Sequence, residues 1–182
     1  MKKYFSLGLR LALIVAVVVA MLSAVNVFTR DTIATRQYLA GQAARSELFP
    51  AGTFTQLENS VIPKEFVSTV TAVYQVEENG TVSGYCFDVT AKGYDTVTMI
   101  VGINTELIVT GVKILSQAET PGIGSKAVDP EGAFLPQFKG LSSRNLDSVV
   151  MVSGATISSK GIKAGVQSAV DLCTVILEGR GN

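Results

Sequence analysis

The stretch TVTMIVGINTELIVTGVKIL, residues 96–115, predicts two antiparallel β-strands joined by a tight turn. β-Branched residues are frequent in both halves, as is typical of strands. The polar triplet Asn104-Thr105-Glu106 separates the halves, as hairpin turns do. Apolar and polar residues alternate along part of each half, which indicates a sheet with one packed face and one wetter face.

Further strands are predicted on both sides of this pair. Two precede it, at 69–76 and 81–90, and the residues between them end in the hairpin dipeptide Asn79-Gly80. A fifth, uninterrupted apolar strand is predicted at 148–152. From about Ile157 a helix follows, with apolar residues at steps of three and four. The sequence therefore predicts an α+β domain whose antiparallel sheet has about five strands.

The N-terminal region predicts one transmembrane helix. Residues 11–28 are apolar except for Ser23 and Asn26, and at about 1.5 Å per residue they nearly cross a hydrocarbon core of about 30 Å. No small-residue cleavage pattern follows them, so we expect an uncleaved, single-pass anchor rather than a signal peptide. Basic residues precede the span, which predicts a cytoplasmic N-terminus and a domain on the extracytoplasmic or periplasmic side of the cell (inner) membrane.

The segment after the anchor has helix-forming composition. Residues 31–47 predict a stalk helix that stops at Phe49-Pro50 and packs, with the C-terminal helix, on the sheet. The residues from there to about Ile62 show no sustained period, so we expect a loop with at most one short element. The predicted division is an N-terminal tip and anchor at 1–30, a stalk helix and linker at 31–65, and an extracytoplasmic domain at 66–182.

Composition excludes several classes of function. The chain has no histidine, which removes Ser-His-Asp and Cys-His catalysis and the commonest metal ligand. Cys86 and Cys173 stand far apart in apolar surroundings, so we expect two buried thiols rather than a metal site, with a disulfide still open if the domain is exported. All 15 acidic residues lie after Arg30, and such a domain suits nucleic acid poorly.

Ser153-Gly154-Ala155-Thr156 lies where the predicted strand passes into the helix. The first N–H groups of a helix have no partner within it, and together with the helix dipole they favour an anion such as phosphate. Gly154 and Ala155 would let a ligand approach the backbone closely. Alternatively, Ser153 or Thr156 is an ordinary N-cap and Gly154 makes the turn. The residues alone leave both interpretations open.

Two motifs in this order, Glu119-Thr120-Pro121-Gly122-Ile123-Gly124 and Ser153-Gly154-Ala155-Thr156-Ile157-Ser158-Ser159, resemble the FMN-binding domain family. In that family the threonine of the second motif carries FMN through a phosphoester between the flavin phosphate and its side-chain oxygen. The resemblance covers residues 85–170 and places covalent FMN on Thr156. It implies that the cofactor-binding residues are Thr156, Ser153, Gly154, Ala155, Ile157, Ser158, Glu119, Thr120, Pro121, Gly122 and Lys126.

Within the family the sequence is most similar to the G subunit of Rnf-type complexes, which couple ferredoxin:NAD+ electron transfer to Na+ or H+ movement. The segment FLPQFKG at 134–140 and the single N-terminal span add to this similarity. It implies an electron-transfer subunit without a complete active site of its own. The implied partners are the other subunits, a flavin transferase for maturation and membrane lipid. Two alternatives stay open: the C subunit of a Na+-translocating NADH:quinone reductase, or a non-redox, membrane-tethered binding domain.

The loop at Glu119–Gly122 has two interpretations. By itself it predicts a turn, with Pro121 fixing one dihedral angle and Gly122 supplying a positive φ. By the resemblance, Glu119 and Thr120 contact the isoalloxazine or ribityl edge, and Lys126 contacts the phosphate or the ring. Tyr94, which follows Gly93, is expected in the core rather than stacked on a ligand.

One position departs from the family. Members commonly carry an aspartate six residues before the modified threonine, within the signature that the flavin transferase recognises when it installs FMN from FAD. Here Val150 occupies that place, and Asp147 lies three residues further upstream. The departure concerns recognition by the transferase rather than flavin binding itself.

Overall fold

The computed structural model describes residues 2–122 and 124–180. The chain divides between Ala40 and Gly41 into two compact units. Its helices and strands, in chain order, are α1 (Lys2–Leu48), β1 (Thr53–Gln56), β2 (Val70–Glu78), β3 (Thr81–Lys92), β4 (Thr96–Asn104), β5 (Val109–Gln117) and α2 (Thr156–Arg180). Short 3₁₀ helices lie at Asn59–Val61, Gly124–Ala127, Leu135–Phe138 and Leu146–Ser148.

The described residues of the N-terminal unit, 2–40, are all helical. Among the described residues, one helix, Gly8–Leu48, is long and apolar enough to cross a membrane. Its most apolar 18-residue stretch has a mean hydropathy of 2.7, and none of that stretch is buried. The predicted anchor and stalk are not two helices but parts of the continuous helix α1. The physical reason is local: the residues Thr29-Arg30-Asp31 between them include neither glycine nor proline, so nothing there breaks the helix.

The sheet is an antiparallel meander in the order β1-β2-β3-β4-β5. The four strands expected between residues 69 and 115 are present as β2 to β5. The β2–β3 hairpin closes at Asn79 and Gly80, whose φ angles are 52° and 78°. Two successive positive φ angles are typical of a tight hairpin turn of the kind that Asn-Gly favours. The α+β class and the five-stranded sheet are thus confirmed.

The fifth strand, however, is not the one that the sequence predicted. Residues 149–152 are not in the sheet; the fifth strand is β1, which pairs with β2 from Thr53↔Glu77 to Gln56↔Tyr74. The segment 149–152 is apolar because Val149 packs into the core. A short apolar run indicates burial, and burial alone does not require strand pairing.

Helix α2 covers one face of the sheet. The residues of this core include Phe87 and Val89 from β3 and Ile162 and Val166 from α2. Helix and sheet approach closely because α2 carries glycine at the contact. A Cβ on Gly165 would lie 3.0 Å from a methyl carbon of Val89, so a larger residue there would push the helix away.

The C-terminal turns of α1, from Gly41 onward, belong to the second unit and cover the other face of the sheet. Phe49, just after the helix, packs against Cys86 and Ile100. Gly84 makes room for it, since a Cβ there would lie 2.9 Å from the Phe49 ring. Arg45 forms a buried ion pair with the Asp88 carboxylate.

The two cysteines lie in different cores. Cys86 packs on the α1 side of the sheet and Cys173 on the α2 side. Both are free and buried, and burial raises the pKa of each thiol to about 12. The expectation of two buried thiols is therefore confirmed, and no disulfide joins them.

Candidate functional site

The turn into α2 is built by backbone and hydroxyl hydrogen bonds. Gly154 has a φ of 79°, a conformation that glycine adopts without strain. Ala155 N donates to the carbonyl oxygen of Val152 at 3.0 Å. The Ser159 hydroxyl donates to the carbonyl oxygen of Ala155 at 2.8 Å and accepts from Val152 N at 3.2 Å. Ser159 therefore fixes the turn.

The first turn of α2 presents donors and a free hydroxyl. Its first helical bond runs from Ser159 N to the carbonyl oxygen of Ala155 at 2.9 Å, so the N–H groups of Thr156, Ile157 and Ser158 have no acceptor within the helix. Neither Ser153 nor Thr156 makes a side-chain hydrogen bond to any residue that the structure describes. Neither side chain therefore caps the helix, and the exposed Thr156 hydroxyl is available to a ligand.

A cleft of about 230 Å³ opens at this helix end. Its lining combines Gly154–Ser158 with Tyr94 from the β3–β4 turn. Tyr94 is 70% exposed and Ile157 is 52% exposed. The prediction that Tyr94 belongs to the core is wrong, because the turn directs the side chain away from the sheet into the cleft. Two exposed apolar side chains beside unpaired N–H groups suit a ligand with both a flat ring and an anionic group.

A buried carboxyl lies beneath this cleft. Glu119 is only 4% exposed, and its Oε1 accepts a hydrogen bond from Tyr94 N at 3.2 Å. Its own N–H donates to Oε1 of Gln117 at 2.7 Å. Oε2 of Glu119 and Oγ of Ser158 are both buried without a hydrogen-bond partner in the described part of the chain. Glu119 and the first turn of α2, which are distant in the sequence, thus meet at one place.

The rest of the predicted loop lies at the surface. Thr120, Pro121 and Gly122 are exposed, and Gly122 has a φ of 79° and donates from its N–H to the Ser125 hydroxyl at 2.8 Å. The positive φ expected for a turn glycine is therefore present. Ile123 lies outside the described residues. None of Thr120, Pro121 and Gly122 lines the cleft.

Lys126 and Lys160 are the lysines to consider for a phosphate. Lys126 is exposed and lines a different depression, beside Gln117 and Asp129 at the end of β5. Lys160 is exposed and stands four residues after Thr156 in α2, a spacing that places both on one face of the helix. Lys160 is not among the residues that the sequence predicted for the site, although its helical spacing from Thr156 could have indicated it.

The segment upstream of the motif is held by side chains. Gln137 donates from Nε2 to the carbonyl oxygen of Val150 at 3.2 Å and accepts at Oε1 from Val150 N at 2.9 Å. The Val150 side chain is 70% exposed. Asp147 pairs with Lys163 at 2.6 Å, and the hydrogen bond and charge of Lys163 lower the pKa of this carboxyl. Asp147 is therefore engaged by α2 and does not occupy the position of Val150.

Comparison with known proteins finds a family model that matches the region around the cleft. Residues 93–171 match the FMN-binding domain. The matched region includes every residue that lines the cleft as well as Glu119.

Similarity to individual proteins extends further along the chain. The sequence is 29% identical to the G subunit of the Na(+)-translocating ferredoxin:NAD(+) oxidoreductase complex of Acetobacterium woodii, over 94% of this chain and 92% of that protein. It is 29% identical to the G subunit of the ion-translocating oxidoreductase complex of Methanosarcina acetivorans, over 88% and 89% of the two chains. The corresponding protein of Haemophilus influenzae is 38% identical over 38% of this chain and 35% of that protein.

The groups that line the cleft suit the parts of an FMN molecule. The unpaired N–H groups of Thr156, Ile157 and Ser158 suit the phosphate. The exposed surfaces of Tyr94 and Ile157 suit an aromatic ring. The cleft thus offers groups that suit both the phosphate and the ring of FMN.

Proposed function

We propose that this chain is the electron-carrying flavoprotein subunit of a membrane-bound, Rnf-type ion-translocating oxidoreductase, with FMN joined through a phosphoester to the Thr156 side-chain oxygen. One observation carries the site assignment: the Thr156 hydroxyl is exposed and unbonded among the described residues, at a helix end whose N–H groups have no acceptor in the helix. The similarity to the G subunits of three organisms supports the type of complex.

Attachment is an exchange at phosphorus. Thr156 Oγ1 forms a bond to the FMN phosphorus of FAD as the diphosphate bond breaks, AMP leaves, and the hydroxyl proton passes to solvent. A flavin transferase supplies the catalysis for this step. The N–H groups at the start of α2 stabilise the negative charge on the phosphate, and Lys160 adds a positive charge on the same face.

The remaining residues of the site bind and orient the FMN. Bound FMN supplies reversible redox chemistry. Gly154, which has no side chain, lets the phosphate approach the backbone, while Tyr94 and Ile157 contact the ring and exclude water from it. Electrons pass between this subunit and cofactors of partner subunits, so the domain needs no substrate pocket or acid-base pair of its own.

The membrane part of the proposal rests on α1. We place the N-terminus in the cytoplasm, the apolar segment across the cell membrane once, and the flavin domain on the extracytoplasmic side, as the basic residues before the span favour. The exposed apolar surface of α1 supports contact with lipid and with other subunits of the complex. A covalent tether suits this location, because a diffusible flavin would be lost from the complex.

The test is peptide mass analysis of the full chain purified from its own host with an active transferase. The peptide that contains Thr156 is expected to carry the mass of FMN less one water. Thr156→Ala should abolish the adduct, whereas the control variant Ser143→Ala, at an exposed serine that does not line the cleft, should retain it. An unmodified Thr156 peptide in cells where another flavinylated protein is modified would refute the covalent proposal.

A further inference from the structure

The buried carboxyl of Glu119 lies where three segments come together behind the cleft. Its Oε1 accepts from Tyr94 N in the β3–β4 turn. Its Oε2 lies beside Gly124, in the loop that follows β5. The Ser158 hydroxyl, from the first turn of α2, lies 3.0 Å from the position that a Cβ on Gly124 would take. Glu119 therefore lies directly behind the segments that carry Tyr94 and Ser158, without lining the cleft itself.

Two glycines make room for this carboxyl. A Cβ on Gly93 would overlap Oε1 of Glu119 and would lie 2.9 Å from the Cα of Ser158. A Cβ on Gly124 would overlap Oε2 and would lie 2.9 Å from the carboxyl carbon. Real Cβ atoms do not approach other atoms this closely, so the loops close around Glu119 only because both positions are glycine.

The Glu119 contact adds to what holds Tyr94 in position. Its ring is mostly exposed, so core packing does little to hold it. Its N–H donates to Glu119, while Gly93 N donates within the turn to the carbonyl oxygen of Asp95 at 2.9 Å. The Glu119 hydrogen bond thus ties the Tyr94 backbone to a segment outside its own β3–β4 hairpin.

We propose that Glu119 is a positioning residue for the flavin: its carboxyl holds the Tyr94 backbone, and with it the Tyr94 ring, against the isoalloxazine of FMN attached at Thr156. This inference rests on the proposed function. Because Glu119 does not line the cleft, it acts on the flavin through Tyr94. Oε2 of Glu119 is buried and has no hydrogen-bond partner among the described residues, an arrangement that is costly to the fold and favours a role at the site over a role in stability.

Flavin fluorescence of the flavinylated full chain provides the test, since a tyrosine ring stacked on the isoalloxazine quenches its emission. Tyr94→Ala should remove this quenching, and Glu119→Ala should remove it as well. In Glu119→Gln the amide oxygen still accepts from Tyr94 N, so quenching should persist. The double variant Glu119→Ala/Tyr94→Ala should match Tyr94→Ala alone, because both changes act on one contact. Glu131→Ala, an exposed glutamate of the same long loop, is the matched control.

Two results would overturn the proposal. If Glu119→Gln lost quenching as fully as Glu119→Ala, the charge and not the hydrogen bond would matter. If the effects of Glu119→Ala and Tyr94→Ala added, Glu119 would act on the flavin independently of Tyr94.

Hydrogen exchange at the Tyr94 amide gives a second measurement that needs no flavin. In full-length protein from a host without the transferase, Glu119→Ala should speed exchange at this amide, while Glu119→Gln and Glu131→Ala should not. Unchanged exchange in Glu119→Ala would refute the positioning role even where flavin is absent. A chain that never carries FMN but shows the expected exchange pattern would instead refute the proposed function and leave the Glu119 contact established.

Discussion

Replacing Arg45 by alanine should strongly destabilise the folded domain. The Arg45 guanidinium donates to both oxygens of Asp88 at 2.9 and 2.7 Å and lies 3.6 Å from the centre of the Tyr74 ring. The side chains of the pair are 5% and 18% exposed. Removing Arg45 leaves a largely buried carboxylate without its counter-charge, which is the costly way to break such a pair.

The expected loss in the free energy of unfolding follows from the burial of this ion pair. Breaking a buried ion pair on one side costs roughly 3–5 kcal/mol, and the partial water access of Asp88 places the expected loss at the lower end, about 3 kcal/mol. With a urea dependence of roughly 1–3 kcal/mol per molar, the unfolding midpoint should fall by about 1–3 M. The pair Glu47–Lys113 is an internal control, because its side chains are 61% and 43% exposed. Lys113→Ala should cost only about 0–1 kcal/mol.

The destabilisation caused by Arg45→Ala should depend on pH in a definite direction. Burial raises the pKa of Asp88 above its ordinary value, while the charge and hydrogen bond of Arg45 oppose this rise. A carboxyl with a raised folded-state pKa contributes stability that is present at low pH and is lost as the pH rises through that pKa. Without Arg45 the pKa of Asp88 rises further. The destabilisation in Arg45→Ala should therefore be largest at neutral pH and shrink as the pH falls toward the ordinary aspartate range.

The assay is urea unfolding of the full chain in detergent at several pH values, followed by circular dichroism because the chain has no tryptophan. An Arg45→Ala loss no larger than that of Lys113→Ala would refute the reasoning. So would a loss that grows as the pH is lowered.

Three further outcomes are expected. Val150→Asp introduces the aspartate that members of the FMN-binding domain family commonly carry, and it should increase the fraction of the chain that the transferase flavinylates. Mass spectrometry at limiting transferase measures this fraction. An unchanged fraction would show that Val150 does not limit flavinylation. Gly161→Ala places a Cβ 2.8 Å from the carbonyl carbon of Lys92 and should cost roughly 1–3 kcal/mol of overpacking, measured by urea unfolding; a neutral effect would mean that α2 shifts freely. Cys86 and Cys173, buried with pKa values raised to about 12, should resist a thiol reagent at neutral pH until the chain unfolds; rapid labelling of the native protein would contradict their burial.

Some features of this protein could be predicted from short sequence patterns. The β2–β3 turn follows from Asn79-Gly80, because these residues accept positive φ. The start of α2 beside Thr156 follows from helical spacing after small residues. The two motifs indicated a resemblance to the FMN-binding domain family, and the model of that family matches residues 93–171. Each of these signals depends on residues that are close together in the chain.

Only the tertiary structure decided the features that depend on distant residues. Apolar character did not distinguish the buried segment 149–152 from a paired strand, and β1, with little apolar character, pairs because β2 offers it an edge. Tyr94 is exposed, and the turn that carries it is hydrogen-bonded to Glu119, 25 residues further along the chain. The depth of that carboxyl depends on the absence of a Cβ at Gly93 and Gly124, a condition that three-dimensional packing imposes and that composition and spacing do not reveal.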